Sequence, residues 1–533
     1  MSQLREEAVS SSDKAAGQAF GQGGRRVVLP LAVVESRRLL LHPAVLITLA
    51  AYAALWIYST VSGADRFPVL HDESRYTQAP ALLVAAGTFL AVNLAVLRPV
   101  RDSMADLYEV VVLDAWQRVT AHALSVLPVA GVTLVAAALR IGLAAAGPDP
   151  VGSVVTAEVL TGPAVVLAAG ALAVLTGTAM RSTAAGPLVL MGLGVLTVAA
   201  ALAPTSSWRW LTLIAIEHES VPPLPRDLLD RPAEVHLLYL LCLTVLAALA
   251  ALLLAGLRGR LVAMGAVLAL GAVVGAGAAQ FQPVPESTVE ARHTARTAPA
   301  QTQRCTEVSN VTYCAFPDFF DRHRQWAEVA EGILHRIPGG GPADGLAVRQ
   351  HIWSIDGGDS RVDAEPLQGW VEDDREAETP GAIMVGTRWG TGNEADSLAT
   401  IGFAAAFANR TIDAGKDRGP VAQVCGARAV LVTWLAAQAT PETRQALRDR
   451  LTTVISGTSV SFRPVDGVHA LSVDRRGASA ALTLLERPTD EVGARVSDSW
   501  EELTDPSTPL DRAAELLDFP APPVTSDGGE GGC

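Results

Sequence analysis

Seven apolar stretches of membrane-crossing length precede residue 282, and they dominate what this chain can fold into. Their approximate limits are 43–62, 79–97, 121–145, 159–179, 184–203, 235–256 and 261–280, rich in Ala, Leu, Val and Gly and mostly free of charge. A helix needs about 20 residues to cross roughly 30 Å of hydrocarbon. In lipid the backbone must satisfy its polar groups within its own segment, so helices are the expected solution. The connections at 180–183 and 257–260 leave room only for tight helical hairpins. The expected architecture is an α-helical polytopic membrane domain of about seven transmembrane helices over 29–281, after a cytosolic tail at 1–28.

The charge is divided to match. Residues 1–280 carry 18 basic and 18 acidic side chains, whereas 281–533 carry 23 and 37. The net charge of −14 therefore belongs entirely to the second half. An acidic surface of this kind excludes nucleic acid as a partner, because phosphate binding needs clustered basic groups. The bilayer is the expected environment of the first half, and water that of the second.

Basic residues in short loops set the expected orientation. A cytosolic N-terminus places Arg25, Arg26, Arg37, Arg38, Arg98, Arg101, Arg118, Arg181, Arg258 and Arg260 on the inner side. An odd number of spans then leaves 282–533 outside the cell membrane. Ser36-Arg37-Arg38-Leu39-Leu40-Leu41 has the form of a twin-arginine export signal, and Ser62-Gly63-Ala64 that of a cleavage site. Six further spans follow, so an uncleaved first span is expected.

Two inner elements carry information. Residues 27–42 place apolar residues around Glu35, Arg37 and Arg38, the pattern of an amphipathic helix lying in the interface or of an ordinary basic flank. Between Arg98 and Arg118, Met104, Leu107, Tyr108 and Val111 recur at helical spacing, with Asp106, Glu109 and Asp114 among them and Arg101 and Trp116 at the margins. Asp102 or Ser103 is placed to cap this helix. Such a helix either docks in a partner's groove or lies on the membrane.

The run Glu35-Ser36-Arg37-Arg38-Leu39-Leu40-Leu41-His42-Pro43, the first hairpin and the Arg-flanked helix before the third span resemble permease subunits of type-2 ATP-binding-cassette exporters, over about residues 30–258. The resemblance implies a six-span unit that pairs as a homodimer or heterodimer of permeases. It also implies a separate ATPase subunit docked on a coupling helix at Arg101, Met104, Leu107, Tyr108, Val111 and Trp116. Two departures stand out. The Gly-Thr-rich wording of that helix is missing from 101–118, and a seventh span is added, which would carry an external domain. The Gly415-Lys416 pair is followed by Asp417 and lacks the glycine spacing of a phosphate-binding loop. Hydrolysis must then come from another polypeptide, and no enzyme activity or cofactor is expected of this chain. The alternative is a membrane-anchored extracytoplasmic binding or sensor protein that needs no ATPase.

Polar residues within spans are functional candidates, here Asn93 and Arg140, with Thr176 and Thr178 at an inner end. Arg140 is expected to snorkel to the outer headgroups. Pro128 is placed to kink the third span, and Gly265, Gly271, Gly275 and Gly277 suggest close helix approach in the seventh.

The second half reads as a linker at 282–304, an α+β extracytoplasmic domain at 305–521 and a disordered tail at 522–533. Cys305 and Cys314 flank a hairpin turning at Ser309-Asn310, an arrangement suited to a disulfide on the oxidising side. Helices are expected at 316–337, 395–408, 422–438 and 441–456, and strands at 347–355, 380–387, 458–463 and 468–472. Related permeases are sometimes joined to zinc aminopeptidase-like domains, yet no His-Glu-x-x-His signature occurs. His218-Glu219 leads into Ser-Val-Pro, and His323 and His335 stand twelve apart. No Gly-x-Ser-x-Gly elbow occurs either. The run Glu372-Asp373-Asp374-Arg375-Glu376 is expected to be a solvated loop, and neither a metal nor a catalytic residue is assigned.

Overall fold

A computed structural model of the chain describes residues 22–62, 67–102, 113–202, 207–214, 223–229, 231–340, 345–355, 365–390, 394–413, 422–454 and 459–523. Helix α1 (Gln22–Leu40) precedes α2 (Pro43–Val61). His42 caps α2, its Nδ1 accepting the Ala44 N–H at 3.2 Å, with Pro43 in the first turn where a missing N–H costs nothing. A short α3 (Leu70–Tyr76) runs into α4 (Gln78–Val96), and α5 (Ala115–Leu124) into α6 (Leu127–Ala145). Helices α7 (Thr156–Met180), α8 (Ala185–Ala201), α9 (Ala233–Leu254) and α10 (Arg260–Ala279) complete the apolar half.

Six of these helical stretches are long and apolar enough to cross a membrane: Pro43–Val61, Leu70–Val96, Ala115–Ala145, Thr156–Met180, Ala233–Leu254 and Arg260–Ala279. The expected count of about seven is corrected in one respect. The fifth apolar stretch forms α8, a helix of 17 residues, roughly 25 Å long. Its start packs at the far end of α4, where a Cβ on Gly186 would meet Asn93. Leu211, beyond its end, lies beside Gly277 and Tyr239, at the end of α10 and the start of α9.

Helix α7 is the axis of this bundle, buried along most of its length and packed by α4, α6, α8 and α9. Glycine makes the close approaches possible. A Cβ on Gly170 would stand 2.5 Å from Val126, and one on Gly177 2.9 Å from Val96. The glycines of the last span divide: a Cβ on Gly265 would stand 3.3 Å from Leu249 and one on Gly277 3.5 Å from Leu211, whereas added Cβ atoms at Gly271 and Gly275 meet nothing within 4 Å. That helix exposes Leu261, Met264, Val267, Leu268 and Val274. Pro128 does not kink a continuous helix either; it stands in the first turn of α6, after a break at Ser125–Val126.

The expected linker is helical. Residues Glu286–Thr297 form α11, which is polar and has only Ala295 buried. It is held by tertiary contacts: Trp370 Nε1 donates to Arg296 O, and Gly369 lets that backbone approach Thr297. Beyond it stands a mixed domain with two sheets. In the first, β1 (Arg304–Val308) pairs antiparallel with β2 (Val311–Ala315), and β2, β3 (Leu346–Gln350) and β4 (Ile383–Val385) run parallel. Their crossovers contain α12 (His323–Leu334) and α13 (Glu365–Glu376). The hairpin turns at Ser309 and Asn310, both at positive φ, as a two-residue turn between antiparallel strands favours.

Helix α14 (Glu394–Ile412) leads to the second sheet, ordered β5 (Ala422–Val424), β7 (Leu471–Asp474), β6 (Ser459–Phe462). The expected helix at 422–438 is divided into β5 and α15 (Gly426–Ala436), with Gly426 at φ +63° where the chain turns between them. Helices α16 (Pro441–Val454), α17 (Arg475–Leu485), α18 (Thr489–Asp498) and α19 (Leu510–Leu517) follow. One core unites both sheets, with Trp326, Phe403, Phe407, Leu431 and Val473 buried at its centre. The tail from 524 lies outside the described residues.

Candidate functional site

The side chains that join distant elements gather at two ends of the bundle. At the end far from the mixed domain, Glu35 of α1 is buried with 5% exposure. Its Oε1 accepts from Arg98 Nη1 at 2.9 Å and from Arg38 Nη1 at 3.0 Å, and His122 Nδ1 lies 4.0 Å from Oε2. Burial raises the carboxyl's pKa, but the Arg98 hydrogen bond and the charges of His122, Arg98 and Arg38 outweigh it and hold the group below the usual carboxylate range. Beside this knot Val28 and Ala32 pack on Ala121. The other side of α1 presents Val27, Leu29, Val33 and Val34 without cover. An apolar strip beside a pinned charged face is the form of an interfacial helix.

The segment expected to dock a partner begins at this knot. Residues Arg98–Arg101 form one turn, and Arg101 Nε bonds Asp102. Met104, Leu107, Tyr108 and Val111 lie outside the described residues. Trp116, beyond those residues, is described. It stands in the first turn of α5, whose start is a capping box of Asp114 and Gln117, and its Nε1 donates to Asp114 Oδ2 at 3.2 Å.

Of the intramembrane candidates, Asn93 is buried and its Nδ2 donates to Ala173 O at 3.3 Å. It thereby links α4 to α7 and backs onto Gly186 of α8. Thr176 and Thr178 donate to carbonyls one turn back, so both hydroxyls are satisfied within α7. Arg140 makes a two-nitrogen bond to Glu73 Oε2, at 3.2 and 3.0 Å. Glu73 belongs to α3, ahead of the apolar helix α4, so no span pattern points to it.

At the opposite end the loops at 67–72, 150–155 and 223–229 meet the mixed domain in a shared apolar core. Val69, Val151, Leu224 and Leu228 pack there with Phe316, Phe319, Ile352 and Ile355. Hydrogen bonds seal it: Gly152 N donates to Asp318 O at 2.9 Å, Arg226 N to Asp318 Oδ2 at 2.7 Å, and Arg292 Nε to Leu228 O at 2.9 Å. Arg231 stands 3.7 Å from both Asp72 and Glu158. The domain is seated on the bundle and does not merely follow it in sequence.

Within the domain, Cys305 and Cys314 are cross-strand partners with their sulfurs 2.02 Å apart. Cys425 is also disulfide-bonded, whereas Cys242 is free. The acidic run is not a solvated loop. It is the last part of α13, with Asp373 and Asp374 buried. Asp373 accepts the Ala300 N–H at 2.8 Å, and Asp374 takes Arg349 Nε at 2.8 Å. Burial pushes the Asp374 carboxyl up to about 7 against the pull of Arg349. Among the described residues no group of three or more His, Cys, Asp or Glu is arranged to hold a metal ion. His218 and Glu219 lie outside them.

This organisation is the make-up of a multi-pass helical membrane protein with a mixed α and β domain docked on one face. Comparison with family models, curated proteins and solved structures finds no match to this chain.

Proposed function

We propose that the chain is the membrane-spanning permease subunit of an ATP-driven exporter of the ATP-binding-cassette type, working as a pair of permeases with a separate ATPase. The observation that carries this reading is the Glu35–Arg98–His122 knot. It pins an interfacial helix to the start of the 98–114 connector, on the face opposite the mixed domain. A partner docking there would push on α1, α4 and α5 together, and α4 bears directly on the axial helix α7. The sequence has no phosphate-binding loop of its own, so the nucleotide must be bound by another chain. On this reading the knot is cytosolic and the disulfide-bearing domain extracytoplasmic.

The test is a mild-detergent pull-down from the native membrane. A P-loop ATPase in comparable amount is expected, and it should be lost when Tyr108 and Val111 are both replaced by Asp. Recovery of no ATPase across several detergents would contradict the proposal. It would favour the second reading, an anchored extracytoplasmic binding protein, whose supporting observation is the core that seats the domain on the membrane loops.

A further inference from the structure

An open groove runs down the side of the bundle at the domain end. Leu55, Tyr58, Leu143 and Ala144 line it between α2 and α6, it has a volume of about 510 Å³, and Arg140 and Glu73 lie on its wall. Tyr58 and Leu143 are exposed at its rim, so in a bilayer the groove opens sideways to hydrocarbon. Its upper end adjoins a smaller crevice of about 100 Å³, with Pro68, Glu73 and Tyr76 lining both. That crevice is closed on the domain side by Arg322, Arg388, Trp389 and Asp396.

The charges of the crevice are matched with one exception. Glu73 is paired with Arg140, Asp72 lies 3.7 Å from Arg231, and Asp396 lies 3.8 Å from Arg388. Arg322 is 1% exposed and forms no ion pair among the described residues, although the Asp396 charge acts on it as well as on Arg388. Its Nη2 donates to Phe67 O at 3.0 Å, while Nε and Nη1 have no acceptor. A buried guanidinium with two idle donors is costly unless an anion completes it. Gln325 and Trp326, one turn along the same face, also carry buried side-chain nitrogens without partners. The volume of the groove is that of an ordinary small-molecule site.

We propose that this cleft binds an anionic amphiphile, its chain in the apolar groove between α2 and α6 and its charged head against Arg322 at the domain. The inference goes beyond the permease proposal and does not need an ATPase, so either stands if the other fails.

The test uses the full-length protein in maltoside micelles with two photoactivatable lipids of identical chains, phosphatidate and diacylglycerol. Phosphatidate should label the peptides containing 55–60 and 140–148 at least about tenfold more than diacylglycerol, as a charge-assisted bond pair requires. Arg322→Gln should bring phosphatidate down to the diacylglycerol level, Arg322→Lys should retain part of the difference, and Ala144→Trp should abolish labelling by both. Ala144 lies outside the core that seats the domain, so that variant decides the matter even if Arg322→Gln unseats the domain. Equal labelling by the two lipids, or undiminished labelling of Ala144→Trp, would overturn the proposal. Displacement of phosphatidate by an equal concentration of glycerol 3-phosphate would also overturn it, because the site would then be one for soluble anions.

Discussion

Glu35 and Arg98 stand 63 positions apart in the chain and 2.9 Å apart in the fold. That bond fixes the helix preceding the membrane to the end of the second span, where the chain leaves for the 98–114 connector. His122 and Arg38 close around the same carboxylate, so one acidic side chain organises three elements.

Replacing Glu35 by Gln removes the charge and leaves Arg98 and Arg38 without their carboxylate. Arg98 and Arg38 are partly exposed, so solvent moderates the loss to about 1–2 kcal/mol. The variant should unfold at lower temperature in detergent and release α1 to limited proteolysis. Because the folded carboxyl titrates below its ordinary range, its contribution is present above that range and lost as pH falls through it. The Gln variant should lack that acid-side decline, and an unchanged decline would show that the knot is not its source.

The mixed domain should show the opposite dependence through Asp374. A carboxyl raised to about 7 by burial holds its proton in the folded state over a range where the unfolded chain has lost it. Stability from this group is therefore full below the unfolded value near 4 and declines as pH rises to about 7. Asp374→Asn should flatten that slope in thermal melts taken across the interval. A slope that survives the substitution would assign it elsewhere.

Gly170 and Gly177 of α7 are predicted to be intolerant, and Gly271 and Gly275 of α10 permissive. Gly170→Ala drives a methyl into Val126 and should cost about 1–3 kcal/mol by overpacking. Gly271→Ala enters open space and should leave the melting temperature unchanged or slightly raised, since Ala favours helix. Equal effects at the two positions would contradict the packing of α7 as the axis.

Alkylation followed by mass analysis tests the thiols. The peptides holding Cys305 and Cys314 should gain label only after reduction, whereas Cys242 should label once the protein is unfolded without reductant.

The contrast among these sites shows which physics a sequence exposes. The apolar spans and the Ser309-Asn310 hairpin were legible because hydrophobic length and turn chemistry are local. The role of Glu35 was not, because its partners lie 63 and 87 positions away and nothing local distinguishes a buried acid from an interfacial one. The same reason hid Glu73 beneath Arg140, and Asp374 within an acidic run that looked solvated. Helix α11 is not legible because a polar helix held by the bonds of Trp370 to Arg296 and of Arg292 to Leu228 carries no apolar period of its own. The break before Ala115 was missed because Trp116 fits a connector's apolar pattern as well as a helix start.

The central claim is the docking of a separate ATPase beside the Glu35 knot, and the most direct test is photocrosslinking in the intact native membrane. A benzophenone side chain installed in place of Val111 should capture a P-loop ATPase, while one in place of Val34, on the exposed strip of α1, should capture lipid. Capture of lipid alone from position 111, with the protein folded and at native abundance, would contradict the permease account.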